Sequence, residues 1–270
     1  MIRTVKGLVL RSIQYGESDK LITILTEEGK IFFKARGIRS LTSKNAAGCS
    51  AFVYSEFVLE QRGDKYFLRR AQPLYTTVRA GASLTSLSLA TYLAELAEDT
   101  SRDEETGAMV LRLLMNALYL IAKEDRPEDL IKSVFEMRLL AANGLMPRLD
   151  GCAVCGKEAE RFSGLFFRLL EGDLVCPDCV NSYDRELKRV SPEVIALCRH
   201  SLEQSEEKAY ALRIPEKLLR DFSRLAENFL LQQMERKYNT LDFYHQVKRL
   251  PGEKQLQKPA TNEEEKNETL

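Results

Sequence analysis

Four of the six cysteines lie in two Cys-x-x-Cys pairs, and this arrangement is the strongest chemical signal in the chain. Cys152 pairs with Cys155, Cys176 pairs with Cys179, and twenty residues separate the two pairs. Each pair can form a tight knuckle whose two sulfurs converge on one side, and four thiolates complete the tetrahedral shell that Zn²⁺ prefers. The spacing therefore predicts one zinc ion. Two disulfides, or a site that no longer holds metal, are the alternatives.

Four thiolates leave no open coordination position for water or substrate, whereas a catalytic zinc ion keeps one. The predicted ion is therefore structural, and a metal-dependent hydrolase is disfavoured. Between the pairs, residues 165–170 and 174–175 are apolar runs that flank Glu171-Gly172-Asp173, which predicts the hairpin of a zinc ribbon.

Other patterns that would indicate catalysis are weak. Gly151 to Lys157 begins like a phosphate-binding loop, but Glu158 stands where a Ser or Thr would bind magnesium, and no strand is predicted before it. The two histidines, His200 and His245, lie in helical segments without a partner pattern. The chain contains no Gly-x-Ser-x-Gly and no His-Glu-x-x-His motif. We therefore expect a protein that is not an enzyme.

The elements that would hold a binding surface begin at the N-terminus, where residues 1–79 predict a small β-barrel. Short runs rich in β-branched and aromatic residues follow one another without a long helix between them. They are residues 4–12, 21–26, 30–36, 52–61 and 65–70. A five-stranded Greek-key barrel of the oligonucleotide/oligosaccharide-binding (OB) type closes most of the edges that five strands would otherwise expose.

The barrel segment is also basic, although the whole chain has no net charge. Residues 1–80 contain 14 Lys and Arg against 7 Asp and Glu. Such segregation suggests that this module meets a polyanion, and a lysine-rich solvated surface is the alternative. If the partner is nucleic acid, the candidate phosphate contacts are Arg11, Lys20, Lys34, Arg36, Arg39, Lys44, Arg69 and Arg70.

The chain after the barrel predicts a helical domain, residues 80–250, that is interrupted by the cysteine module, residues 150–182. Apolar residues recur at three- and four-residue spacing in residues 83–100, 105–123 and 128–143. Two further helices are predicted to begin near Ser191-Pro192 and near Pro215. The fold class is therefore an α+β multidomain protein. Residues 251–270 are polar without apolar periodicity and predict a disordered tail.

The N-terminal residues lack the apolar core and cleavage site of a signal peptide, and the most apolar later run is broken by Arg112 and Asn116. Six cysteines are too few for a disulfide scaffold in a chain of 270 residues. We expect a cytoplasmic protein without a membrane span.

The order of these parts resembles the RecO family of bacterial recombination mediators. The resemblance rests on GLVLRSIQYGESDKLITILTEEGK followed by ARGIRS, on FEMRLLAANGLMPRLDGCAVCG, and on the second CPDC. It covers nearly the whole chain apart from the tail. The Tyr-Gly-Glu-x-Asp turn combined with a Phe-Glu-x-Arg-Leu-Leu helix before a four-cysteine site is specific, although either motif alone is weak.

The resemblance implies an N-terminal barrel, a helical domain and an embedded zinc module. Proteins of this family bind single- and double-stranded DNA at the nucleoid and anneal complementary strands. With RecR they load RecA onto DNA coated with single-stranded-DNA-binding protein (SSB). Some members lack the zinc cysteines, which fits a structural role for the ion.

A second hypothesis is an adaptor protein whose helical domain carries the function. Some members of the family bind the acidic C-terminal tail of SSB through this domain. Apolar residues of the second and third predicted helices, with Arg112, Lys132 and Arg138 nearby, could hold a peptide that ends in hydrophobic residues and a carboxylate. The alternative is that the same apolar residues are only the core of a helical bundle.

Overall fold

The computed structural model describes residues 1–78, 82–101, 104–181 and 184–250. The predicted disordered tail lies outside these residues. The described chain buries two hydrophobic clusters, one inside an N-terminal barrel and one that runs through a helical domain and the sheet inserted in it.

The N-terminal part is a closed barrel with the strand order β1-β2-β3-β5-β4. Its strands are β1 Ile2–Tyr15, β2 Asp19–Thr26, β3 Gly29–Ala35, β4 Val53–Arg62 and β5 Lys65–Thr76. β3 and β5 are parallel, and the other neighbouring strands are antiparallel. Alternate residues point inward, so that Ile22, Ile24, Phe33 and Phe57 fill the interior. The predicted five-stranded barrel is confirmed.

β5 is longer than its apolar pattern predicted, because it continues past Pro73 to Thr76. Pro73 lies opposite Ser55, next to a register shift between Tyr54 and Ser55. Proline cannot donate to a regular ladder, and an irregular position of this kind tolerates it. The change to helical structure therefore comes later than Pro73.

Seven α-helices lie in the described residues after the barrel. They are α1 Leu84–Thr100, α2 Glu104–Lys123, α3 Glu128–Ala142, α4 Pro192–Glu203, α5 Glu206–Tyr210, α6 Glu216–Met234 and α7 Asn239–Lys248. The first three agree with the apolar periodicity to within one residue at each end. Ser191 caps α4 by accepting the backbone N–H of Val194, and Pro192 takes the first helical position as expected.

α2 is the one helix in the described residues that is long and apolar enough to cross a bilayer by length and composition, over Thr106–Lys123. It packs against α1, α3 and the barrel strands β2 and β3. Leu113, Leu114 and Leu118 are buried there. These contacts are those of a core helix in a bundle.

The barrel and the helical domain share a core. Leu8, Leu10 and Leu25 point out of the barrel and belong to the hydrophobic cluster of the helices. The turn between β2 and β3 also lies directly on α2, because a Cβ at Gly107 would come within 2.6 Å of the Gly29 nitrogen. Only glycine permits this approach, so one part of the barrel surface is covered and its position on the helices is set.

A four-stranded sheet interrupts the helical domain between α3 and α4. Its strands are β6 Arg148–Cys152, β7 Leu165–Arg168, β8 Asp173–Val175 and β9 Leu187–Val190, in the order β6-β8-β7-β9. β7 and β8 form the predicted hairpin. β6 was not predicted, because five residues with little apolar character carry no strand pattern. It pairs in parallel with β8, which brings Cys152 next to Leu174.

Candidate metal centre and nucleic-acid interface

The four predicted metal ligands come together at one end of the inserted sheet. The Sγ atoms of Cys152, Cys155, Cys176 and Cys179 all lie within 4.8 Å of one another, and those of Cys155 and Cys176 are 3.9 Å apart. A tetrahedral ion bound by sulfurs at about 2.3 Å places them about 3.8 Å apart. A disulfide requires about 2.05 Å. The cluster therefore fits one metal ion bound by four sulfurs.

The pairing of β6 with β8 produces this convergence. Cys152 is the last residue of β6 and Cys176 follows β8 directly, so that the two parallel strands deliver both sulfurs to the same end. The chain then folds back so closely that the Lys157 carbonyl would collide with any side chain at position 151. Gly151, the first residue of the apparent phosphate-binding loop, therefore permits the close turn of the cysteine knuckle.

The backbone of the cysteine knuckle stabilises the thiolate form of Cys152. Burial alone would raise the pKa of Cys152, but its sulfur accepts backbone N–H groups from Cys155, Cys176 and Val154, and its pKa falls to about 6. The Cys176 N–H lies 3.4 Å from this sulfur. A deprotonated sulfur is the form that ligates zinc and related metals. Four cysteine sulfurs would close the coordination shell of such an ion, as a structural site requires.

The outer surface of the barrel is open at the ends of β1, β2 and β3 away from the helices. Four large side chains there have exposed fractions between 41% and 56%. They are Ile13, Tyr15, Leu21 and Phe32. Ile13 lies opposite Leu21, and Leu21 lies opposite Lys34 on the next strand. We call Ile13, Tyr15, Leu21, Phe32 and Lys34 the open face.

Cations lie over aromatic rings at and beside the open face. Lys34 Nζ is 4.4 Å from the centroid of the Tyr15 ring and pairs with Asp19 at 2.8 Å. Arg36 lies over the Phe67 ring at 4.9 Å. Positive charges next to exposed rings are what a single strand requires, since phosphates need cations and bases need flat surfaces.

The other predicted phosphate contacts lie in different places. Arg39 donates to the Glu17 carbonyl in the turn between β1 and β2, beside the open face. Arg11 pairs with Glu98 of α1 at 3.0 Å, across the junction with the helices. Lys20 shares the inward-facing alternation of β2 with Ile22, at the mouth of the barrel.

Lys44, Arg69 and Arg70 form a separate basic group on the β5 side of the barrel. The Asn45 side chain bonds the backbone of Arg69 and of Ala71, which holds the loop that carries Lys44 against β5. Arg69 pairs with Glu60 at 2.6 Å, and Arg70 donates to Gln72. The eight predicted cations thus do not form one surface.

Sequence patterns did not reveal that Ile13, Tyr15 and Leu21 belong to the open face. The register of β1 against β2 shifts between Val9 and Arg11. Leu8 and Leu10 face the helices before this bulge, whereas Ile13 and Tyr15 face solvent after it. An alternating pattern read along one strand cannot locate such a shift, because one extra residue reverses the faces.

The three cations proposed for a peptide site in the helical domain do not act together. Lys132 is fully buried, where it pairs with Glu136 at 2.9 Å and Glu227 at 2.8 Å. It cannot contact a peptide at the surface, so its assignment to that site is wrong. Arg138 donates to the Gln204 carbonyl, and the largely exposed Arg112 pairs with Glu206. Arg138 thus reaches the turn between α4 and α5, and Arg112 reaches the first residue of α5.

Lys132 belongs to a network of charged side chains that joins α3, α6 and α7, and the hydroxyl of Tyr92 on α1 donates to Glu136. Burial raises the pKa of Glu136 to about 7, against the attraction of Lys132. Burial also opposes ionisation of Glu227, but the hydrogen bond from His245 and the charge of Lys132 lower its pKa to about 2. His245 Nε2 lies 2.9 Å from Glu227. This contact gives His245 a structural role.

A five-stranded OB-type barrel with an exposed aromatic and basic face, joined to a helical domain that carries a four-cysteine cluster, defines a multidomain OB-fold protein with an embedded metal-binding module. Residues 1–77 match the family model "Recombination protein O N terminal", and residues 81–242 match "Recombination protein O C terminal". The chain belongs to the Recombination protein O (RecO) family.

Curated relatives agree with this assignment. The chain is 33% identical over 222 residues to the DNA repair protein RecO of Heliobacterium modesticaldum, covering 81% of this chain and 80% of the relative. It is 26% identical over 245 residues to the DNA repair protein RecO of Acetivibrio thermocellus, covering 90% and 96%. With the protein of that name from an Anaeromyxobacter species, 37% of 179 residues are identical, covering 64% and 68%. The family is one of DNA repair and recombination.

Proposed function

We propose that this protein is a recombination mediator that binds single- and double-stranded DNA without sequence specificity and anneals complementary strands. With RecR, it would help to load RecA onto SSB-coated single strands in the cytoplasm. The observation that carries the proposal is the open face, where Tyr15 and Phe32 are exposed beside Lys34 and Arg36. OB folds bind oligonucleotides on this side of the barrel, between the turn after β1 and the turn after β4.

The three parts of the chain divide the work in this proposal. Residues 1–79 bind DNA, the helical residues 80–250 support the barrel and meet partner proteins, and the module at 150–182 holds one structural zinc ion. Annealing requires no catalytic residue, because neutralised phosphates let two strands approach and base pairing supplies the driving force. The protein therefore acts without being an enzyme.

Annealing of two complementary labelled oligonucleotides, followed by fluorescence with and without SSB, tests this function. The double variant Lys34→Gln with Arg36→Gln should slow annealing. It should also reduce the steepness of the slope of log affinity against log salt by about 0.7 for each lost contact to a single-strand phosphate. The matched control is Lys208→Gln with Lys217→Gln, two exposed cations of the helical domain.

The control should behave like the unaltered protein. An unchanged rate and salt slope in the Lys34 and Arg36 variant would remove the open face from the mechanism. A protein that does not anneal DNA at any salt concentration would contradict the proposed function itself.

A second function, docking of the acidic SSB tail, is favoured by the exposed side of α2. Met109 and Tyr119 are 46% and 43% exposed, and Arg112 lies between them along the helix. Glu206 already pairs with Arg112, so a peptide carboxylate would replace an acidic partner that is already in place. Binding of a labelled SSB-tail peptide to the unaltered protein and to Arg112→Gln tests this function. Equal affinities would exclude Arg112 from the peptide site.

A further inference from the structure

A cleft of about 510 Å³ lies between the inserted sheet and helices α4 and α6. Lys188 and Arg189 of β9 and Arg224 of α6 line it, together with one carboxylate, Asp221. β9 is the edge strand of the sheet, and its successive residues Lys188 and Arg189 both line the cleft. The walls therefore carry three positive charges against one negative charge.

These three cations differ from their neighbours in having no carboxylate partner within the described residues. Close by, Arg168 is held by Asp173 and Asp184, and Arg220 is held by Glu216. Three cations that converge on a concave surface beside a single carboxylate leave an excess of positive charge, and an anion in the cleft would relieve their mutual repulsion. The excess positive charge of the cleft therefore favours binding of an anion.

The remaining polar groups of the cleft favour a phosphate. Ser163 and Asn228 add a hydroxyl and an amide donor to the ammonium and the two guanidinium groups. Guanidinium groups bind phosphate oxygens in pairs, and hydroxyl and amide groups complete such contacts along nucleic-acid backbones. The cleft is open to solvent on one side, so that a chain of phosphates could enter and leave it.

We propose that this cleft binds the sugar-phosphate backbone of a second nucleic-acid strand, separate from the strand on the open face. The inference deepens the proposed function and rests on it. The barrel packs on α1 and α2, whereas the cleft lies on β9, α4 and α6. One chain would then hold two strands on different parts of its surface, as annealing requires.

Stoichiometric titration of the full zinc-loaded chain with a labelled oligothymidylate of about eight nucleotides, a length within the range that one OB fold covers, tests this proposal. The unaltered protein should bind two oligonucleotides per chain. The variant Lys188→Gln, Arg189→Gln and Arg224→Gln should bind one and should anneal complementary strands more slowly. The matched control removes three exposed cations elsewhere, Arg126, Lys208 and Lys217, and should still bind two.

The possible failures can be told apart. A protein that binds no oligonucleotide contradicts the proposed function together with this inference. One oligonucleotide per chain in both the unaltered protein and the cleft variant, with equal affinities, overturns the cleft proposal alone. In that case Lys188 and Arg189 keep only the role of discouraging strand pairing at the edge of the sheet.

A second arm uses inorganic phosphate and adenosine monophosphate to distinguish a free phosphorylated molecule from a nucleic-acid backbone. Calorimetry should show that neither binds at concentrations that saturate the oligonucleotide sites. Tight binding of the mononucleotide that the cleft variant loses, without any change in oligonucleotide stoichiometry, would show that the ligand is a small molecule and would overturn the proposal.

Discussion

Lys34 of β3 lies over the Tyr15 ring of β1, 4.4 Å from its centroid, and at the same time pairs with Asp19 of β2 at 2.8 Å. The cation and the exposed ring come from strands that are separated by β2, and these two long side chains meet across it on the outer surface of the barrel. Asp19 neutralises Lys34 in the free protein. In the proposed complex, a DNA phosphate would have to compete with this carboxylate for Lys34.

Asp19→Asn should raise the affinity for single-stranded DNA at low salt by about two- to fivefold, the value of a weak exposed ion pair. An asparagine oxygen can still accept the backbone N–H of Gly37 that Asp19 now accepts at 2.9 Å, so the loop should keep its conformation. Fluorescence anisotropy measures the affinity. Glu207→Gln removes an exposed carboxylate of α5 and serves as the control, which should leave binding unchanged.

Phe32→Ala should weaken single-strand binding by about 1–3 kcal/mol if a base stacks on this ring. Tyr15→Ala should do the same and should also release Lys34 from its cation–π contact. Tyr119→Ala, which removes an exposed ring from α2, is the matched control. Equal affinities for Phe32→Ala and Tyr119→Ala would show that the strand does not stack on the open face.

Cys152→Ser with Cys176→Ser should abolish metal binding and lower the melting temperature, because the closed shell holds β6 and β8 together. Metal analysis of the unaltered protein should give one zinc ion per chain. The DNA affinity of the folded fraction should change little. Cys198→Ala is the control, since this buried cysteine lies outside the cluster and its loss should leave the zinc content at one.

Lys132→Met should destabilise the protein by about 3–5 kcal/mol, because it leaves Glu136 and Glu227 without their cation in the interior. Urea unfolding measures the loss. Arg112→Met, at the exposed candidate peptide site, should cost far less. A small effect of Lys132→Met would contradict the assignment of a structural ion pair.

Glu136 should make the stability of the protein depend on pH. Its folded pKa of about 7 exceeds the ordinary value of 4.5, so its contribution is complete below about pH 4.5 and is lost as the pH rises through about 7. Glu227, with a folded pKa of about 2, contributes above about pH 4.5 and loses this contribution as the pH falls. Unfolding free energies of the unaltered protein and Glu136→Gln should therefore diverge between pH 4.5 and 7. Parallel curves would show that Glu136 does not titrate there.

The parts of the fold that local patterns describe were predictable. Period-two alternation and the frequent β-branched residues revealed the barrel strands, and three- and four-residue spacing placed α1, α2 and α3 to within a residue. The four cysteines of the cluster were identified from their spacing, because each knuckle is formed by a few consecutive residues. β6 and the end of β5 were missed, since neither carries the apolar alternation of a half-buried strand.

The candidate binding surface was predictable only in part. Lys34 and Arg36 were predicted and lie at or beside the open face, but Arg11, at the junction with α1, and Lys20, at the mouth of the barrel, were predicted as well. Lys132 looked like a surface cation because lysine usually is one, and its burial depends on carboxylates 4 and 95 residues away along the chain. Charge composition therefore locates a basic module without showing which cations are free.

The sequence alone determined the order of the modules, the basic character of the barrel and the four candidate metal ligands, because each depends on composition or on short spacing. Only the tertiary structure decided which side chains share a surface. Whether a cation is exposed, paired or buried depends on three features of the fold. They are the bulge in β1, the packing of the barrel on α1 and α2, and the ion pairs between distant residues. Those contacts join residues that are far apart along the chain, and no local pattern records them.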